Sequence, residues 1–224
     1  NGGGTPVTVR AVFDRPFALR VHWKKSLGAG YSGIAIADGY AVTMFSDGTT
    51  DHLVALASDT GDERWRVPLG ATFPPRDGST GGPVSTPVIH DGVAYGLGPR
   101  GELVAVVLAT GTVAWQTHLV KDLGAVEPHW GFTTSPLVAG DLLIVLTGGA
   151  PDRAVTAFDR RTGRVRWRAG SDGASYQSPM LITTGGVDAV LAGGDTSLMA
   201  LDLRDGRPLW TRAHGGTGFF ALIV

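Results

Sequence analysis

Two glycine-rich stretches are the first candidates for chemistry, because the spacing Gly-x-Gly-x-x-Gly can cradle a phosphate group. They begin at Gly28 and Gly96. A dinucleotide site of this kind needs a strand before the glycines and a helix after them, so that the helix N-terminus faces the phosphate. Strand-like sequence follows both stretches instead, and a chain with 34 glycines produces such matches by composition alone. We therefore predict turns here rather than a phosphate site.

Metal-binding and nucleophilic side chains are the next candidates. The chain has no cysteine, which excludes disulfides, zinc–thiolate sites and cysteine nucleophiles. None of the six histidines has another two to five residues away, as a local metal clasp requires. The Asp-Gly pairs lack the alternating Asp and Asn of a calcium loop and predict turns. No local metal site is predicted, although ligands could still converge from distant parts of the chain.

Charge and hydropathy limit the partners. The net charge is −1, from 19 basic and 20 acidic residues, so the chain has no electrostatic footprint for nucleic acid. The longest aliphatic run is Leu142 to Leu146. That run is far shorter than the ~20 apolar residues that span a bilayer. We predict neither a nucleic-acid partner nor a transmembrane segment.

Aromatic and polar residues in irregular segments are the better candidates for binding. Trp130 ends the irregular segment 121–130, and a second such segment covers residues 72–78. Tyrosines occupy similar places just before two other predicted strands, and loops carry binding more often than strands do. The binding candidates are therefore Tyr31, His129, Trp130, Thr134, Tyr176 and Gln177.

The elements that must position these residues follow from one pattern that recurs four times. In each copy an alanine is followed six residues later by a glycine, and four residues after that by a tryptophan. Successive tryptophans of the pattern are 50, 52 and 43 residues apart. The copies are Ala55, Gly61 and Trp65; Ala105, Gly111 and Trp115; Ala157, Gly163 and Trp167; and Ala200, Gly206 and Trp210.

Each copy lies in a unit that predicts four short strands. A Ser/Thr-Pro pair, or Ser-Gly in the first unit, precedes an apolar strand, and tight Gly-containing turns separate the strands that follow. The outer strand carries the tryptophan and alternates with charges, as an exposed edge does. Four antiparallel strands in about 40–50 residues form a β-propeller blade. The fold class is therefore all-β, with approximate blades 31–70, 84–120, 132–169 and 175–213.

A blade cannot bury both of its faces and must pack against its neighbours. The tryptophans and the small residues of the pattern are interpreted as this packing between blades. The six binding candidates then lie in or beside connections between an outer strand and the next inner strand. Such connections run along one face of a propeller, which places the candidates near the mouth of the central channel.

The pattern resembles the tryptophan-docking motif of quinoprotein-like (PQQ-repeat) β-propellers, and residues 32–210 carry its four copies. The resemblance implies a ring of seven or eight blades, of which this chain would hold about four in a single domain, 1–224. Residues 20–27 are then expected to be the outer strand of a preceding blade, and 217–224 the start of a following one. A closed four-bladed ring, or two chains that complete eight blades as a dimer, are the alternatives.

The resemblance also implies alternative functions. One is a non-catalytic extracytoplasmic platform that binds a protein, peptide or glycan, and another is a structural or sensory module of a larger protein. The third is a PQQ- and calcium-dependent alcohol dehydrogenase. Such enzymes hold PQQ against adjacent cysteines and bind calcium through Glu, Asn and Asp, whereas this chain lacks cysteine and has Asn1 as its only asparagine. We therefore rank the non-catalytic platform first.

Overall fold

The computed structural model describes residues 20–149 and 151–214, in which sixteen strands form four separate sheets. The strands of the first two sheets are β1 Ala35–Ala37, β2 Tyr40–Ser46, β3 Thr50–Ala57, β4 Glu63–Ala71, β5 Val88–His90, β6 Val93–Leu97, β7 Glu102–Val107 and β8 Val113–His118. After a short helix, α1 (Leu119–Leu123), the other two sheets contain β9 Leu137–Ala139, β10 Leu142–Leu146, β11 Val155–Asp159, β12 Val165–Ala169, β13 Met180–Thr184, β14 Val187–Gly193, β15 Ser197–Asp202 and β16 Pro208–Ala213.

Every sheet contains four antiparallel strands in chain order, so each is one blade of the predicted kind. We number the blades 1 to 4, from β1–β4 to β13–β16. The inner strands β1, β5, β9 and β13 lie side by side. The predicted all-β fold with four-stranded antiparallel blades is confirmed. The number of blades in a closed ring stays a prediction.

Tight turns join the first two strands of each blade. In blade 1, Asp38 and Gly39 have φ angles of 50° and 80°. Two successive left-handed residues make the turn type whose twist matches that of an antiparallel hairpin. Asp91 and Gly92 repeat this geometry in blade 2, with φ of 47° and 70°. The Asp-Gly pairs therefore set the register of the inner hairpins.

The apolar core lies between blades. One face of β2 and β3, including Val42 and Leu53, packs against Ala94 and Val104 of blade 2. A similar cluster joins blades 3 and 4 and includes Ile144 and Val190. Adjacent blades therefore stabilise each other through their buried faces, as stacked repeats do.

A β-bulge precedes the tryptophan in every blade. In blade 1, Ala55 pairs with Trp65 but Leu56 pairs with Glu63, so Arg64 is the extra residue of the outer strand. The register shifts at the same place in the other three blades. A bulge re-aims the side chain beside it. Here the bulge lies just before the tryptophan, whose indole ring packs against the next blade.

The rings of Trp65, Trp115 and Trp167 then lie on a glycine of the following blade, not on the glycine of their own copy. A Cβ added at Gly111 would lie 2.6 Å from Trp65, and one at Gly163 would lie 2.7 Å from Trp115. The indole N–H of Trp65 also donates to the carbonyl of Leu108 at 2.6 Å. The alanine of each copy is the cross-strand neighbour of its own tryptophan.

The expected partial blades have different outcomes. Residues 20–27 form no strand, yet Trp23 lies on Gly61 of blade 1 and its indole N–H donates to the carbonyl of Ser58 at 3.0 Å. This segment therefore supplies the packing contact of a preceding outer strand without its sheet. The expected strand at 217–224 lies outside the described residues. In the described part of the chain, no helix is long and apolar enough to cross a membrane.

Hydroxyl groups connect the inner edges of successive blades. The backbone N–H of Thr86 donates to Ser135 Oγ at 3.0 Å, and the N–H of Ser135 donates to Ser178 Oγ at 2.9 Å. Gly33 N–H donates to Thr86 Oγ1 at 3.2 Å. These bonds explain why a Ser or Thr precedes the inner strands of blades 2, 3 and 4. They also fix the positions of the residues just before those strands.

Candidate binding groove

A groove of about 350 Å³ lies where two inter-blade connections meet the inner ends of blades 1 and 4. One connection runs from β4 to β5 and the other from α1 to β9. We call this feature the aromatic groove, and the lining residues that matter most are Tyr31, Phe73, Arg76, Trp130, Thr133 and Tyr176. Its size lies at the lower end of the range for small-ligand sites.

Two tyrosines hold the connections in place. The backbone N–H of Tyr31 donates to the carbonyl of Pro83 at 2.8 Å, and its hydroxyl oxygen accepts from the N–H of Thr80 at 3.0 Å. Hydrogen bonding with the side chain of Thr80, and then with its backbone N–H, lowers the pKa of Tyr31. Tyr176 acts similarly on the other connection, since its hydroxyl oxygen accepts from the N–H of Trp130 at 3.4 Å. Burial raises the pKa of Tyr176.

Phe73 is buried and forms the floor of the groove. Its backbone N–H donates to Asp51 Oδ2 of β3 at 3.1 Å, and its carbonyl accepts from the N–H of Gly82 at 3.1 Å. The guanidinium groups of Arg76 and Arg100 each lie 5.7 Å from the centre of its ring. The electron-rich face of an aromatic ring attracts such cations. Phe73 is therefore fixed by both its backbone and its ring.

The carboxyl group of Asp51 lies beneath this floor and is 2% exposed. Burial raises its pKa to about 6, because the charged form loses hydration that one backbone N–H does not replace. Across the interface with blade 2, burial also raises the pKa of Glu102. Two carboxyl groups with raised pKa values, Asp51 and Glu102, therefore lie near the interface between blades 1 and 2.

Trp130 forms one wall, and His129 supports it from behind. The two rings meet edge to face, with centroids 5.3 Å apart. His129 Nε2 lies 3.2 Å from Asp77 Oδ2, so the two connections are tied together at the rim of the groove. Trp130 is thereby presented as a half-exposed aromatic wall.

The structure separates the six sequence candidates. It brings Tyr31, Trp130 and Tyr176 together in the groove and places His129 behind the wall. Thr134 and Gln177 are buried and do not line it.

Sequence reasoning missed Phe73, Arg76 and Thr133 as lining residues. The first two belong to the irregular segment 72–78, so its sequence held a signal. No sequence signal identified Thr133, because its position at the groove depends on the fold of the connection before β9.

The described residues do not fit a calcium–PQQ site. In residues 20–149 and 151–214, no group of three or more His, Asp or Glu side chains converges to hold a metal ion. Calcium in proteins takes six to eight oxygen ligands, mainly from carboxylates and carbonyls. This part of the chain therefore supplies no such side-chain donor set for calcium beside PQQ.

Comparisons with known proteins agree with the fold. The family model described as outer membrane protein assembly factor BamB matches residues 49–218. A serine/threonine-protein kinase, AfsK of Streptomyces griseus, is 32% identical over 163 residues, which cover 70% of this chain and 18% of the kinase. BamB of Burkholderia pseudomallei is 27% identical over 206 residues, covering 84% of this chain and 46% of that protein.

Among solved structures, the quinohemoprotein alcohol dehydrogenase of Comamonas testosteroni superposes with a TM-score of 0.62 at 20% identity. The alignment covers 81% of this chain and 35% of that enzyme. A likeness at this identity shows the fold alone. This chain spans less than half the length of each of these proteins. The family match covers most of the described blades, and the chain therefore belongs to the BamB-like family of PQQ-repeat β-propellers.

Proposed function

We propose that this chain is a non-catalytic binding module, and that the aromatic groove binds an extended segment of a partner protein. The observation that carries the proposal is the convergence of Tyr31, Trp130 and Tyr176 from three distant parts of the chain on one concave site. Aromatic side chains are enriched where proteins bind one another, because each buries a large area at low entropic cost.

The relatives support a module that serves different larger proteins. One is named as an outer membrane assembly factor and another as a protein kinase, yet each matches the repeats of this chain. A propeller retained in such different proteins is more simply explained by a binding role than by one shared reaction. We also propose an extracytoplasmic location, because one relative is named as an outer membrane protein assembly factor.

A peptide array tests the proposal. The full 224-residue chain is labelled and applied to an array of random dodecapeptides, in parallel with Trp130→Ala and Val126→Ala. Val126 is an exposed side chain of the same connection that does not line the groove, which makes it a matched control.

We expect a subset of peptides to bind the unmodified chain and Val126→Ala equally and Trp130→Ala at least tenfold more weakly. Such a loss corresponds to about 1.4 kcal/mol or more of binding energy. Far-UV circular dichroism confirms that the variants are folded. Peptide binding that survives in Trp130→Ala would overturn the proposed site.

A further inference from the structure

We infer that the aromatic groove selects segments in the polyproline II conformation, which are rich in proline and free of basic residues. This inference rests on the proposed function and names the kind of peptide. It follows from the hydrogen-bonding groups, the ring surfaces and the charge that the groove presents.

The groove contains donors that the protein itself does not use. Among the described residues, the indole N–H of Trp130 makes no hydrogen bond. This distinguishes it from the packing tryptophans, whose indole N–H groups donate to carbonyl oxygens of the next blade, as those of Trp115 and Trp167 do at 2.9 and 3.1 Å. The hydroxyl of Tyr31, in contrast, is already engaged by the backbone N–H and the side chain of Thr80.

Two further polar atoms at the groove are unsatisfied. In the described part of the chain, Arg76 Nε and Thr133 Oγ1 are buried and have no hydrogen-bond partner. Such atoms are uncommon in folded proteins and mark places where another group supplies the missing bond. Since the arginine can only donate and the hydroxyl can do so, both atoms match an oxygen acceptor. Because both atoms are closed to solvent, a carbonyl oxygen in the groove would bond to them only after a side-chain rotation of Arg76 or Thr133.

A polyproline II segment meets these conditions better than other chains do. Proline has a carbonyl acceptor but no N–H, so it satisfies donors without bringing unpaired donors into an apolar site. Its rings pack against aromatic surfaces such as those of Tyr31 and Trp130, and its conformation is already ordered before binding. A glycan hydroxyl can also accept, but each one brings its own O–H donor, which the Trp130 N–H and Arg76 Nε cannot accept.

Charge narrows the choice further. Arg76 is the one charged side chain that lines the groove in the described part of the chain. Its guanidinium favours a neutral or acidic segment and disfavours Lys and Arg. We therefore expect prolines flanked by acidic residues to bind better than prolines flanked by basic ones.

Fluorescence anisotropy with the full 224-residue chain tests the inference. The probe is a fluorescein-labelled octaproline with an acidic pair at its N-terminus. Its controls are a peptide with the same flank but alternating alanine and serine, an octaproline with a basic pair, and a neutral cello-oligosaccharide that competes against the probe.

We expect saturable binding of the acidic octaproline, with binding at least tenfold weaker for the alanine–serine and basic peptides. Trp130→Phe keeps a ring but loses the N–H, so it should weaken binding about three- to tenfold, as one hydrogen bond does. Val126→Ala should bind as the unmodified chain does.

The outcomes separate the inference from the proposed function. If the array yields Trp130-dependent peptides that are poor in proline, or if the alanine–serine peptide binds as well as the octaproline, the inference fails and the proposed function stands. If the oligosaccharide displaces the probe more strongly than unlabelled octaproline does, the groove is a glycan site and both fail. If the folded chain binds no peptide through Trp130, both also fail.

Discussion

At the scale of single residues, the groove depends on a buried acid that is costly to ionise. Asp51 holds the backbone of Phe73 through one hydrogen bond, while its other oxygen is buried without a partner in the described part of the chain. Its pKa is raised by burial to about 6. The folded protein therefore binds a proton at Asp51 more tightly than the unfolded chain does.

The sign of the resulting pH dependence follows from linkage. This group favours the folded state fully below the ordinary Asp pKa of about 4, and the benefit is lost as the pH rises through about 6. We expect Asp51→Asn to unfold at higher urea concentration than the unmodified protein at about pH 7.5. The gain is on the order of 2 kcal/mol, and the two proteins should converge near about pH 4.

Asp59 is exposed, so Asp59→Asn is the control. It should unfold at the same urea concentration as the unmodified protein at each pH. The free energy of unfolding is measured by urea titration at each pH, followed by circular dichroism. Asp51→Asn curves that run parallel to those of the unmodified protein at all pH values would contradict the assignment to Asp51.

At the scale of elements, the contact between blades combines a bulge, a tryptophan and a glycine of the next blade. Gly111 has φ of 72°, a backbone conformation that favours glycine, and it also lies under the ring of Trp65. Gly92, in the inner turn of the same blade, has φ of 70° and open space around it. Comparing substitutions at the two glycines therefore distinguishes the cost of backbone strain from the cost of lost packing between blades.

We expect Gly92→Ala to cost about 1–2 kcal/mol, because alanine is strained at positive φ. Gly111→Ala should cost about 1–3 kcal/mol more, since its new methyl group collides with Trp65. Thermal and urea unfolding of the two variants measure the difference. Equal losses would mean that the tryptophan moves aside at no cost.

At the scale of the whole molecule, a buried arginine, Arg160, adds polar contacts to the apolar packing between blades 2 and 3. The side chain of Arg160 is 7% exposed, and its Nη2 lies 2.6 Å from Asp91 Oδ2 of blade 2. Its Nε donates to the carbonyl of Gly140 at 2.9 Å, and its own carbonyl accepts from the indole N–H of Trp115. Stacked repeats remain cooperative only while such contacts couple neighbours.

We expect Arg160→Ala to lower the free energy of unfolding by about 1–3 kcal/mol and to reduce the urea m-value, because the two halves of the arc become less tightly coupled. Its neighbour Arg161 is 71% exposed, so Arg161→Ala should change stability by less than about 0.5 kcal/mol. Tryptophan fluorescence and circular dichroism follow the transitions. Indistinguishable curves for the two variants would show that Arg160 does not couple the blades.

Sequence alone determined the class of this protein, because its signals are local and repeated. The spacing of Ala55, Gly61 and Trp65, copied three more times, predicted a blade of four antiparallel strands, and the Asp-Gly pairs predicted its turns. Local conformational preference and alternation depend on neighbours in the chain, so they can be recognised without a structure. The partners of Trp65, Trp115 and Trp167 lie in the next blade and could not be recognised from the sequence.

The groove was decided by the tertiary structure. Sequence drew attention to Tyr31, Trp130 and Tyr176 one at a time, but they are up to 145 residues apart and only the curvature of the arc brings them together. Asp51 is likewise buried in contact with Phe73, which lies 22 residues further along the chain. Contacts between blades are set by the stacking of whole sheets rather than by any one segment, which is why a repeat predicts the fold of this protein but not the composition of its binding site.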